Sequence, residues 1–188
     1  LKNYVFADDW VKVKKLWVPS IPFYRGHYEN LDACIFPEAL HILRHLILKD
    51  LQLPRFPRTR LYISRAKDSY RQLENEEELL GLLEAHHFQR IFMQGVPVDK
   101  QLDLISRAEM IITHIGGGSP ITMFAPRDCK ILELSLPRFV GTFASSVWSQ
   151  ILGQPFERIE MKPTKFTGQV KPLDYDSIVD LDELRKYL

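Results

Sequence analysis

The chain has 188 residues, 45% hydrophobic and 26% charged, with a formal net charge of +1, the balance of an ordinary globular domain. Near-neutral charge excludes the electrostatic footprint of a nucleic-acid binder, and no apolar run approaches the ~20 residues of a membrane-spanning helix. Cys34 and Cys129 stand apart with no C-x-x-C pair, so no disulfide framework is expected, and two isolated thiols suit a reducing, cytoplasmic compartment.

The first residue is Leu1 and no signal peptide is recognisable, so a piece of a longer protein is expected, with an upstream anchor left open. Residues 11–18 alternate as a strand that stops at Pro19. Pro19, Pro22 and Gly26 then mark a loop whose Tyr24, Arg25, His27 and Tyr28 either line a site or pin the loop to its own domain. From Pro37 to about Asp50, Leu40, Leu43, Ile47 and Leu51 fall near one helical face. His41 and His45 have the spacing of two metal ligands on that helix, but no H-E-x-x-H pattern accompanies them and a solvated pair is expected. Leu53-Pro54-Arg55-Phe56-Pro57-Arg58 breaks the chain, dividing a lead-in over residues 1–57 from a main domain over 58–188.

The main domain alternates regularly. Strands are expected over 61–64, 88–93, 110–115, 130–134 and 156–161, and helices over 74–86, 98–108, 119–125 and 139–152. Asn75 is the expected N-cap of the first of these helices. Residues 164–172 read as loop, and 177–188 as a closing segment with a short helix. Such alternation predicts an α/β fold, a Rossmann-like doubly wound sheet with mostly parallel strands, which binds ligands beyond the carboxyl ends of its strands.

The stretch 110–124 concentrates the functional signal. Its apolar strand runs into Gly116, Gly117 and Gly118, and Ser119-Pro120 then reads as an N-cap with proline in the first helical position. A turn without β-carbons ahead of a helix N-terminus suits a phosphate, and a purely structural turn stands beside that reading. Neither G-x-G-x-x-G nor Gly-Lys-Ser/Thr is present, so the dinucleotide and P-loop readings fail.

Arg60-Leu-Tyr-Ile-Ser-Arg65, Tyr70-Arg71-Gln-Leu-Glu-Asn75-Glu76, Gln101, Ala108-Glu109, the His114-Ile-Gly-Gly-Gly turn, Met123-Phe124-Ala125-Pro126 and Ile131-Leu132-Glu133-Leu134 together resemble the C-terminal part of family 61 glycosyltransferases, a family that includes polysaccharide-biosynthesis enzymes. The resemblance runs from about Arg58 to Glu160, and before Phe36 it is loose. One departure is His114-Ile115-Gly116, where the family has His-Gly directly.

The resemblance implies the C-terminal half of a two-domain, GT-B-type enzyme, which binds a nucleotide sugar, expected to be UDP-linked, and transfers the sugar with inversion to a glycan or other hydroxyl acceptor. It implies neither metal nor other cofactor, in keeping with the absence of a convincing D-x-D pair. Arg65, Arg71, His114, Gly116, Gly117, Gly118, Ser119 and Glu133 are then the expected donor-binding residues, the arginines stabilising the departing diphosphate. Arg71 and Asn75 alternatively order only the helix entry. His114 has three readings: a phosphate ligand, a brace for the glycine turn, or the catalytic base. Glu133 either holds a ribose hydroxyl or caps a backbone turn. The rival to an enzyme is a nucleotide-binding module of the same fold without turnover, and an α/β enzyme unrelated to sugars stands third.

Overall fold

The computed structural model describes residues 23–24, 34–35, 37–49, 58–65, 71–116, 118–137, 144–167 and 174–188. The expected strand at 11–18, most of the loop after it, the break at 53–57, Gly117 and the first five residues of the helix expected from 139 lie outside them. Of the expected loop, Tyr24 instead belongs to β1 (Phe23–Tyr24), paired antiparallel with β2 (Cys34–Ile35). Helix α1 (Pro37–Leu48) follows, and its buried Leu40 packs with Trp148 and Leu152.

The main sheet is built from β3 (Thr59–Ser64), β4 (Phe88–Phe92), β5 (Ala108–His114), β6 (Lys130–Ser135) and β7 (Phe156–Glu160). Between them come α2 (Glu76–Ala85), α3 (Val98–Ser106), a 3₁₀ helix at Ser119–Phe124 and α4 (Ala144–Leu152). All neighbouring strands in this sheet are parallel, and their order is β4-β3-β5-β6-β7. Numbered along the chain this is 2-1-3-4-5, a doubly wound order whose direction reverses between β3 and β5.

Two cores follow from the period-two alternation of the strands. On one face Tyr62, Met110, Ile112, Leu132, Leu134 and Ile159 pack against Leu79 and Leu83 of α2. On the other, Leu61, Ile63, Ile111 and Ile131 pack with Ile105 of α3 and with Ala125 and Cys129. Leu61, Tyr62, Ile111, Ile112, Ile131 and Leu132 are fully buried, each contributing about 1.5–3 kcal/mol of transfer free energy. Burial on both faces is why these strands read as unbroken apolar runs.

Three expectations need correction. Helix α2 begins at Glu76 instead of 74, because Leu73 bridges to Ser177 and the Glu74 amide donates to the Ser177 carbonyl (2.9 Å), holding this stretch against the C-terminal segment. Asn75 occupies the N-cap position but does not cap: its side chain donates to the Val179 carbonyl (2.9 Å) and accepts from the Val179 amide (3.1 Å). The tail expected as loop contains β8 (Lys162–Phe166), which pairs antiparallel with β9 (Tyr175–Ile178) ahead of α5 (Leu181–Arg185).

Candidate functional site

The reversal between β3 and β5 places Arg65 and His114 side by side, since Arg65 follows the last residue of β3 and His114 ends β5. An Nη of Arg65 donates to the Ile115 carbonyl at 2.7 Å. Arg71 comes in from the segment before α2 with φ +65, a left-handed conformation that costs a non-glycine residue about 1–2 kcal/mol. Gly116 is the point on which both arginines converge. Its φ is +144, and a β-carbon there would collide with the Arg65 guanidinium and lie 3.6 Å from Arg71 Nη1.

Asp174 faces the pair, 3.8 Å from Arg71 Nε, and its charge also acts on Arg65. Arg65, Arg71 and this carboxylate thus meet at the strand ends. Burial, and then the neighbouring Arg71, push Arg65 down to about 10, the response expected of like charges held together away from water.

Beneath the arginines runs a buried polar chain. His114 is 4% exposed and lies on the same sheet face as Tyr62, whose hydroxyl is 3.4 Å from His114 Nε2. The Tyr62 hydroxyl donates to Glu76 Oε1 (2.9 Å), the Ser64 hydroxyl donates to the same oxygen (2.5 Å), and Arg90 pairs with Oε2 (2.6 Å). With its one proton given to Glu76, Tyr62 offers His114 an acceptor, which assigns the proton to Nε2 and leaves Nδ1 a bare acceptor. Nδ1 is buried and has no hydrogen-bond partner among the described residues. Burial, then Arg65, then Arg71 lower His114 to about 3, so the ring stays neutral at physiological pH.

The structure brings together Arg65, Arg71, His114 and Gly116, but not the rest of the expected set. Gly117 lies outside the described residues. Gly118 packs onto the sheet, where a β-carbon would stand 3.3 Å from Ile63 Cγ2. Ser119 is not an N-cap: Gly118 holds that position, and the 2% exposed Ser119 turns its hydroxyl back to accept from the Gly116 amide (3.1 Å) and donate to the His114 carbonyl (3.0 Å). Its own amide donates to the Gly116 carbonyl, so the turn closes on itself. The helix expected over 119–125 is a six-residue 3₁₀ helix with little macrodipole to offer a phosphate. Side chains, in place of amides, supply the charge here.

Glu133 points to the opposite face of the sheet from His114. It is fully buried, and its Oε1 accepts from Arg158 at 3.1 and 2.8 Å across the adjacent strand β7. Its partner Arg158 and the hub Glu76 were not among the expected site residues. Glu76 had a signal, its place in the Asn-Glu pair of the resemblance, but strand pairing between distant segments gave none for Arg158. His41 and His45 lie on exposed turns of α1, and among the described residues no three His, Cys, Asp or Glu gather as a metal set. No helix among the described residues is long and apolar enough to cross a membrane.

A 2-1-3-4-5 parallel sheet with Arg65 and Arg71 meeting at its reversal point defines a Rossmann-like domain. The sequence profile of the glycosyltransferase 61 family matches residues 4–132, and the chain belongs to that family of glycosyltransferases. The match begins well before Arg58 and stops one residue short of Glu133. Over 111 residues the chain is 36% identical to an EGF domain-specific O-linked N-acetylglucosamine transferase of Drosophila melanogaster, covering 55% of this chain and 21% of that protein. The chain therefore spans about a fifth of the length of the curated relative it matches.

Proposed function

We propose that this chain carries the donor-binding part of an inverting glycosyltransferase, which uses a UDP-linked sugar and a hydroxyl acceptor. The observation that supports it is the convergence of Arg65 and Arg71 on Gly116 at the reversal of strand order. As the bond from the anomeric carbon to the diphosphate breaks, charge accumulates on the departing oxygens, and the two guanidiniums are already in place to balance it without reorganisation. That charge supply makes a metal unnecessary in this reading. The acceptor oxygen forms its new bond from the opposite side and passes its proton to a base outside the cluster, because an imidazole held near 3 is too weak a base for the work. His114 instead braces the turn and offers Nδ1 to a hydroxyl of the donor. Glu133, on the other face, is left out of the set.

The relative's name supplies N-acetylglucosamine and a hydroxyl on an EGF domain as the specific donor sugar and acceptor to try first. EGF domains are disulfide-dense secreted modules, so that acceptor goes with an oxidising compartment in place of the cytoplasm. A nucleotide-binding module without turnover is the second reading, favoured by the departure from the family turn at His114-Ile115-Gly116.

Calorimetric titration with uridine diphosphate tests the proposal, first without metal and then with magnesium, on the chain and on Arg65→Ala. Saturable metal-free binding, weakened at least tenfold by Arg65→Ala, is expected. Absence of binding at millimolar ligand overturns the donor site, and a magnesium requirement overturns the metal-free mechanism. Binding without sugar transfer in the presence of acceptor selects the second reading.

A further inference from the structure

A second concentration of positive charge lies away from Arg65 and Arg71. A pocket of about 380 Å³ opens between α1 and the segments that lead into β6 and β7. Its walls carry Arg44, Lys49 and Arg127, together with His41 and His45, over an apolar floor of Leu48 and Leu152. Arg127 precedes β6 and Leu152 ends the helix before β7, so the pocket sits toward the amino-terminal rim of the sheet, opposite the rim that holds Arg65 and Gly116.

No carboxylate lines this pocket among the described residues. Both guanidiniums are anchored by backbone carbonyls: Arg44 donates to Met123, and Arg127 Nε donates to the Leu152 carbonyl at 3.0 Å. Each uses only part of its donor fork in that anchoring. Burial, and then Arg127, lower the pKa of Arg44, as expected of two like charges held at one concave surface. Capping of the α4 C-terminus accounts for Arg127 but for neither Lys49 nor the histidine pair.

We infer that this pocket is a second anion site, which takes a tetrahedral oxyanion of the phosphate or sulfate ester class on Arg44, Lys49 and Arg127. The volume of about 380 Å³ lies within the range of small-molecule sites, so an ester with its carrier group fills it better than a free ion. Positive charge focused by a concave wall attracts such a ligand, and guanidiniums already fixed by backbone carbonyls bind it with little loss of freedom. The inference stands independently of the donor reading.

The test is an amide-resolved NMR titration of the chain at constant pH and ionic strength, with inorganic phosphate in one series and inorganic sulfate in another. Saturable shifts are expected at residues 41–49, 127 and 152. They should weaken at least tenfold in the Lys49→Gln/Arg127→Gln variant and persist in Arg65→Ala. Saturation by at least one of the two ions supports the site, and which ion it is names the source of the oxyanion. Failure of these amides to move with either ion, or equal affinity in the Lys49→Gln/Arg127→Gln variant, overturns it. Should that variant not fold, the shifts in the parent chain decide alone, and sodium chloride at matched concentration reproducing them is the overturning result. Uridine diphosphate in the same spectra reports separately on residues 65, 71 and 116, so failure of one site is distinguishable from failure of the other.

Discussion

Gly116 has two reasons to be glycine, and they separate experimentally. Its φ of +144 is strained for any other residue, and a β-carbon would displace the Arg65 guanidinium. Gly95 shares only the first reason: its φ is +74, and among the described residues nothing lies within 4 Å of a β-carbon built there. Gly116→Ala and Gly95→Ala should therefore each lose about 1–3 kcal/mol in urea denaturation from backbone strain. Only Gly116→Ala should also lose affinity for uridine diphosphate, by at least tenfold, because only there must the arginine move. Unchanged affinity in Gly116→Ala would mean that the ligand does not depend on where Arg65 sits. At this scale the sequence singled out the turn but not how its amides are used. Glycines ahead of Ser-Pro suggested amides aimed at a phosphate, whereas the Gly116 and Ser119 amides are spent inside the turn, on which the Arg65 and Arg71 side chains converge.

Among the elements, legibility followed burial. β3, β5 and β6 could be read within a residue or two because both faces are covered, and a doubly covered strand writes itself as a short apolar run. β8 could not, since Lys162-Pro163-Thr164-Lys165-Phe166 is mostly exposed and lies in a two-stranded sheet where no apolar alternation is needed. The same hidden hairpin explains the misreading of Asn75. Its local context is that of an N-cap, but β9 and Val179 approach from a hundred residues away and take both ends of its amide. Aspartate distinguishes the two roles, because it caps as well as asparagine but cannot donate. Asn75→Asp should cost about 1–3 kcal/mol in urea denaturation, through a lost donor and a carboxylate set against the Val179 carbonyl. A neutral outcome would restore the N-cap role and release α2 from the C-terminal segment.

For the molecule as a whole, the reversal of strand order puts a polar chain through the middle of an apolar sheet. Arg90, Glu76, Tyr62 and His114 link the edge strand β4 to the central strand β5, with Arg65 and Arg71 above. The ordinary pKa of His114, 6.5, applies once the chain unfolds, while in the fold burial and the two guanidiniums hold it near 3. Between those values the unfolded chain binds the extra proton and the folded one does not, so stability from this residue is complete above about pH 6.5 and is lost as pH falls toward 3. Carboxylates also contribute to acid unfolding, and Tyr62, Glu76, Arg65 and Arg71 all face this ring directly or through one partner, so the parent profile alone does not isolate it. His114→Gln does, because its amide keeps a donor for Tyr62 and cannot titrate. Urea midpoints measured from pH 7.5 down to pH 4 should fall more steeply for the parent than for His114→Gln, with the curves converging or crossing on the acid side. Parallel curves would mean that His114 takes up its proton over the same pH range in the fold as in the unfolded chain. A protonated imidazole beneath Arg65 and Arg71 would add a third positive charge, and its own proton, not the arginines alone, would then have to be counted in any account of how this rim receives an anion.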